Sequence, residues 1–151
     1  MKTGYFIPLL AVIPLLETAQ AQMPEAPVLP LDTPQTMRNM EAVCTGIGSD
    51  SREDPRWASY PLRVEIAGDK GQFLGEAEVS VNKGKEAIIR VRCGGPWVLF
   101  RLDPGAYGIT AAVEGVTVTS RINVGGKTQA RTVLRFAGQG GAVSPEYEPK
   151  F

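Results

Sequence analysis

The sequence predicts an all-β domain, a sandwich or small barrel of about seven or eight short strands. Three observations predict it. Apolar and polar residues alternate with period two in one run after another. Turn signals built from Gly, Asn and Glu recur between the runs. No stretch keeps a helical period for long.

The strands follow in order. "LRVEIA" (62–67) sets Leu62, Val64 and Ile66 against Arg63 and Glu65, and "EAEVSVN" (76–82) sets Ala77, Val79 and Val81 against Glu76, Glu78 and Ser80. Each reads as one buried and one wet face. "NKGK" (82–85) is a hairpin turn, and "AIIRVR" (87–92) returns with Ile89 and Val91 on one side. "WVLFRL" (97–102) and "AYGITAAV" (106–113) are further strands; Glu114 and Gly115 turn the chain into "VTVTSRINV" (116–124). "GGK" (125–127) leads to "TQARTVLRF" (128–136). Val, Ile and Thr dominate these runs, and their branched side chains suit a pleated surface.

Before the strands, "MRNMEAV" (37–43) is too short for periodicity to settle between a turn of helix and the first strand. "REDPRWAS" (52–59) reads as a short helix in the first connection. The domain spans 41–137. Residues 22–40 read as a proline-rich linker. Four prolines in "MPEAPVLPLDTPQT" (23–36) remove backbone donors and fix φ, which predicts a semi-extended tether. The tail, 138–151, is rich in Gly, Pro and polar residues and reads as flexible.

Residues 1–21 read as a signal peptide. Lys2 gives a positive start, "YFIPLLAVIPLL" (5–16) is a short apolar stretch, and Ala19 and Ala21 form a small-residue cleavage pattern. Crossing a membrane takes about 20 apolar residues. This run is shorter, holds Pro8 and Pro14, and ends at Glu17. The expectation is a periplasmic or secreted protein with no membrane span after cleavage after Ala21.

Charge and composition exclude several functions. Lys and Arg total 16 and Asp and Glu total 16, so no basic excess favours nucleic acid. Histidine is absent, which removes Ser-His-Asp and Cys-His catalysis and any His-bearing zinc site. Two cysteines cannot build a four-cysteine site. In an oxidising compartment Cys44 and Cys93 are expected to form a disulfide. The loop it closes, about 50 residues, is worth roughly 4 kcal/mol by chain entropy. Gly94 and Gly95 open no helix, so they form no phosphate loop.

Certain motifs go further. "GEAEVSV" (75–81), "LDPGAYGITA" (102–111), Gly115 in "VEGV" and "KTQARTVLRF" (127–136) occur in that order. With them, the run 71–136 resembles the carboxypeptidase regulatory-like domain, a transthyretin-like (prealbumin-like) β-sandwich. Leu102, Pro104, Gly105 and Tyr107 are the most specific part, an L-x-P-G-x-Y core. "CTGIGSDSRED" (44–54) with "GPW" (95–97) is similar to a subset of small exported bacterial proteins of this class. The resemblance implies a Greek-key sandwich of about seven strands. It also implies non-catalytic roles in interaction, structural support or carbohydrate contact. The transthyretin relative that is an enzyme, 5-hydroxyisourate hydrolase, depends on histidines and a C-terminal Tyr-Arg-Gly-Ser. This chain has neither and ends "EPKF".

Within the sandwich, the L-x-P-G-x-Y core reads as structure. "DPG" is a turn with proline setting φ, and Tyr107 buries its ring and gives its hydroxyl to nearby backbone as a tyrosine corner does. Phe100 and Leu102 are expected to face the core beside Val98.

Candidate ligand-binding residues lie in the first connection. Asp50, Glu53 and Asp54 carry oxygen ligands of the kind calcium takes, although Arg52 sits among them and the EF-hand spacing is missing. The plainer reading is a solvated polar loop. Trp57 and Tyr60, if exposed, form a stacking platform for a sugar or an apolar partner, while Trp97 packs over the core. The acids mostly alternate outward or sit in turns, a poor basis for a paired-carboxylate cleft.

The expectation is therefore a non-enzymatic exported module without a cofactor, for binding or scaffolding in the cell envelope. Its partner would be an envelope protein or a glycan. The alternatives are an accessory domain of an outer-membrane or surface complex and a small envelope hydrolase using carboxylates.

Overall fold

The computed structural model describes residue 4 and residues 23–138. The expected signal peptide with its cleavage position, and the tail beyond Gly138, lie outside the described residues. The described chain is an all-β sandwich. Its strands are β1 (Gln35–Met37), β2 (Met40–Thr45), β3 (Leu62–Gly68), β4 (Ala77–Lys83), β5 (Glu86–Cys93), β6 (Trp97–Arg101), β7 (Gly105–Val113), β8 (Val116–Val124) and β9 (Ala130–Phe136). One sheet has the order β1-β2-β6-β3-β9 and the other β5-β4-β7-β8. All pairings are antiparallel except β3 with β9. The β4–β5 and β7–β8 hairpins stay within the four-stranded sheet. The β3–β4, β5–β6, β6–β7 and β8–β9 connections cross between sheets, a Greek-key connectivity.

Period-two alternation places the core between the sheets, and its largest fully buried side chains include Phe100, Phe136, Leu62, Ile66 and Ile109. Val98, Phe100 and Leu102 all join this core, as expected. The Cys44–Cys93 disulfide is present and links β2 of one sheet to β5 of the other. Gly95 explains the glycines after Cys93. A Cβ there would stand 2.6 Å from the Thr45 carbonyl oxygen, so only glycine lets the two backbones approach.

Three expectations change. Among the described residues the strand count is nine rather than about seven, because residues 35–45 form a hairpin. Its turn residues, Arg38 (φ 48°) and Asn39 (φ 64°), are both left-handed, the conformation a two-residue turn between twisted strands requires. Without a glycine and over so few residues, that hairpin has little sequence signal. The expected helix over 52–59 is split into a short helix, Ser49–Arg52, and a 3-10 turn, Pro55–Ser59. Pro55 forces the residue before it out of the helical region, and Asp54 is accordingly extended, with ψ 118°.

The third change concerns the proline-rich segment. It is extended, but it is not a free tether. Leu29 N–H donates to the Arg92 carbonyl (2.9 Å), Arg92 N–H to the Pro27 carbonyl (2.8 Å) and Asp32 N–H to the Cys44 carbonyl (2.8 Å). Ala26 and Leu29 are buried, and Leu29 shares the core with both cysteines. Proline removes only its own donors, and the residues between the prolines keep theirs. The segment thus covers the β5 edge, which would otherwise be an open template for pairing.

The corner at Tyr107 forms as expected. The ring is buried, and the hydroxyl donates to the Asp103 carbonyl at 2.7 Å. Tyr107→Phe keeps the ring and orphans that carbonyl. We expect it to cost about 1 kcal/mol in a urea titration; an unchanged midpoint would show that the hydroxyl does not hold the corner.

Candidate functional site

The first connection does not hang in solvent. Residues 46–60 fold over the outer face of the five-stranded sheet, where Trp57 and Tyr60 form a second small core with Val43 and Leu99. Both rings are buried, at 3% exposure each, so the exposed stacking platform expected at Trp57 and Tyr60 is absent. The outer positions Val43 and Leu99 are apolar, so this face needs a cover, and the two aromatics supply it. Trp57 Nε1–H donates to the Ser51 carbonyl (2.8 Å), and the two rings meet edge to face at 6.1 Å. Arg56 lies over Trp57 (4.5 Å) and Arg101 over Tyr60 (4.6 Å), closing the cluster with cation–π contacts.

The Tyr60 hydroxyl donates to Glu41. Burial first, and that hydrogen bond to a carboxylate second, push the Tyr60 hydroxyl up to about 12, so it stays a donor at neutral pH. Gln129 donates to the Trp57 and Tyr60 carbonyls at 2.7 and 3.0 Å and ties the β8–β9 connection to the loop.

The acidic residues of the loop are not brought together as ligands. Asp54 accepts from Arg56 N–H (2.9 Å) and pairs with the Arg56 guanidinium, whose hydrogen bond holds the carboxyl below its ordinary range. Asp50 and Glu53 are exposed. Among the described residues, no group of three or more His, Cys, Asp or Glu is placed to hold a metal ion. The calcium expectation for Asp50, Glu53 and Asp54 therefore finds no geometry, because Asp54 is committed to its arginine.

Glu65, expected on a wet face, is buried instead. Arg131 donates to it twice, at 2.6 and 2.7 Å, and the Arg63 Nε lies 2.9 Å away but out of line for a hydrogen bond. Arg63 in turn stacks on Trp97 at 4.4 Å; Trp97 is buried, but on this outer face beside its register partner Glu65 rather than over the core between the sheets. The carboxylate is held by an ion-pair network on the covered face.

An open hollow lies on the other sheet. Its volume is about 710 Å³, and its walls mix the polar side chains Asn82, Lys85, Thr119, Arg121 and Asn123 with Tyr107, Ile122 and Ala106. Strand register builds it. Asn82 pairs with Gly108 and Gly108 with Arg121, so the three stand in one row on the face away from the core. Ala106 and Asn123 form the next row, and the β4–β5 turn brings Gly84 and Lys85 to the rim. Gly108 sits in the middle of β7, a central strand, where a glycine commonly marks close approach of a ligand or another backbone. With Ala106 beside it, Gly108 leaves the floor low. Among the described residues, the lining holds two cations and no acid.

Sequence reasoning missed these residues. The available signal was Gly108 interrupting an otherwise regular strand run, together with polar residues at alternate positions of β8. The cross-strand pairing that assembles them was not readable from the separate runs.

No family model and no curated protein matches the chain. Among the described residues, no helix is long and apolar enough to cross a membrane.

Proposed function

We propose that this chain is an exported, non-catalytic β-sandwich module of the carboxypeptidase regulatory-like type, which binds an acidic glycan of the cell envelope through the hollow on the four-stranded sheet. The observation that carries the reading is the glycine floor of that hollow, ringed by amides, a hydroxyl and two cations. Amide and hydroxyl side chains match sugar hydroxyls, and Lys85 with Arg121 match carboxylate groups on a sugar chain. Rigid strands hold these groups in place before any ligand arrives, which limits the ordering cost of binding.

A binding role rather than hydrolysis is supported by the state of the carboxylates. Glu25, Glu41, Asp54, Glu65 and Glu78 each stand in an ion pair with arginine. Among the described residues, none faces a second acid across the hollow, whose lining has no carboxylate. Export is supported by the short apolar leader pattern and by the Cys44–Cys93 disulfide.

Gly108→Ala tests the site. The nearest atom to an added Cβ is Asn82 Cβ at 3.7 Å, an ordinary contact, so the fold accepts the methyl group. The expected result is an unchanged or slightly raised melting temperature with binding to uronate-containing glycans weakened at least tenfold. Equal binding by this variant would place the glycan elsewhere, and no binding by the unsubstituted protein would overturn the reading. Arg121→Ala should weaken binding and flatten its salt dependence.

A further inference from the structure

A second cavity, of about 380 Å³, lies between the N-terminal segment, the β1–β2 turn and β5. It opens at an edge where the two sheets part, since β1 and β5 are edge strands of different sheets. The docked segment seals that seam at Leu29, which is buried, and by backbone bonds to Arg92 and Cys44. Farther along, the seam stays open. The register of β4 and β5 shifts between Val81 and Asn82 and leaves Ile88 as the extra residue of a bulge. A bulge bends its strand, and bulges are common at sheet edges and beside sites. Residues 23–26 pass this stretch with no backbone hydrogen bond to β5 among the described residues.

The walls continue the core. Ile89 belongs to it, Met37 packs against it, Ala26 is buried, and all three line the cavity. Met23 lines it too and is 77% exposed. Met23, Val28 and Leu31 of the segment are three of the four large hydrophobic residues exposed among the described residues. Apolar surface concentrated in this way marks a place of contact. The volume falls in the range of small-molecule sites, about 300–1,000 Å³. The charges of the lining set the sign of the ligand. Arg38, Arg90 and Glu25 line the cavity, but Arg90 is paired with Glu78 and Glu25 with Arg92. Arg38, on the β1–β2 turn, has no ion pair among the described residues. One uncommitted guanidinium beside an apolar cavity suits an apolar chain with a single anionic end, and its fork matches a carboxylate.

We propose that this cavity binds a free single-chain carboxylate, with the alkyl chain along Ala26, Met37 and Ile89 and the carboxylate on Arg38. The chain covers core surface that the bulge and the end of the docked segment leave open. Met23 and Met37 suit a flexible chain, because an unbranched thioether adapts its shape to what lies against it. A cationic amphiphile of the same length meets Arg38 and Arg90 instead of a counter-charge.

The test is a calorimetric titration of the purified protein with octanoate, below the concentration at which it forms micelles. Hexanoate, octanol and octyltrimethylammonium are the comparisons. Spectra of methionine labelled at its ε-methyl carbon locate the ligand. The expected result is one octanoate per chain, with shifted Met23 and Met37 methyl signals and no binding of octyltrimethylammonium. Octanoate should bind more tightly than hexanoate by roughly fourfold for each added methylene, the transfer value of a buried CH₂. Arg38 has φ 48°, a conformation that asparagine accepts, so Arg38→Asn keeps the turn. It should weaken octanoate about tenfold, the worth of one hydrogen bond to a charged group, and leave octanol unchanged. Met37→Gln, which sets an amide in the apolar wall, should weaken both. A Met37 methyl signal that stays in place on adding octanoate, full octanoate affinity in Arg38→Asn, or equal binding of octyltrimethylammonium would overturn the proposal. So would binding to vesicles of dioleoylphosphatidylglycerol without binding to octanoate, which would make this edge a membrane contact. Gly108→Ala should leave octanoate binding untouched, which separates this site from the glycan hollow.

Discussion

Replacing Cys44 and Cys93 together with alanine is expected to lower stability by roughly 4 kcal/mol, the chain-entropy value for a loop of this length. For a domain of this size that corresponds to a melting temperature lower by roughly 15–20 °C. The disulfide encloses β3, β4 and β5 within its loop and ties the two sheets together. It is also sealed: Cys44 and Cys93 are 0% and 1% exposed, and Leu29 of the N-terminal segment packs in the same core. Reductant should therefore reach the bond slowly in native buffer and quickly in denaturant. Calorimetry of the double variant and a timed thiol titration measure the two effects. Equal melting temperatures would show that the core alone holds the sheets.

Replacing Trp57 with alanine is expected to cost about 3–5 kcal/mol, the range for losing a large buried aromatic. The change removes the cover over Val43 and Leu99, the edge contact with Tyr60, the Arg56 stack and the bond to Ser51. Urea unfolding followed by far-ultraviolet circular dichroism reads the loss. Trp57→Phe should cost much less, since most of the cover remains. The experiment also decides between two roles. A ligand platform would lose binding and keep stability; the buried cover should lose stability, while the Ala variant, under conditions where it is folded, still binds glycan at the opposite sheet.

Much of the sandwich was legible because its signal is local. Leu62, Val64 and Ile66 alternate with polar neighbours, and the structure puts all three in the core. Glu114 and Gly115 announce a turn, and both have positive φ between β7 and β8. Tyr107 and Phe100 could be assigned inward because period two fixes each side chain once one residue of the strand is placed. The same rule failed at Glu65. It assigned the residue correctly to the outer face, but it could not say that the 46–60 loop and neighbouring arginines would cover that face.

The candidate sites were harder to read because each depends on distant segments meeting. Trp57 and Tyr60 carry aromatic chemistry that suits a platform or a core equally well, and only the apolar pair Val43 and Leu99 decided for the core. Asp54 had oxygen ligands to offer until Arg56 took them.

By itself, the sequence determined the all-β class, most strand positions, the paired cysteines and the want of any histidine chemistry. These follow from residue types and from periodicity within single runs. The tertiary structure decided what lies on each face: the docked proline segment, the buried Glu65 and the glycine-floored hollow. Each of those depends on strand register and on contacts between residues far apart in the chain, and alternation within one strand carries no information about its neighbours.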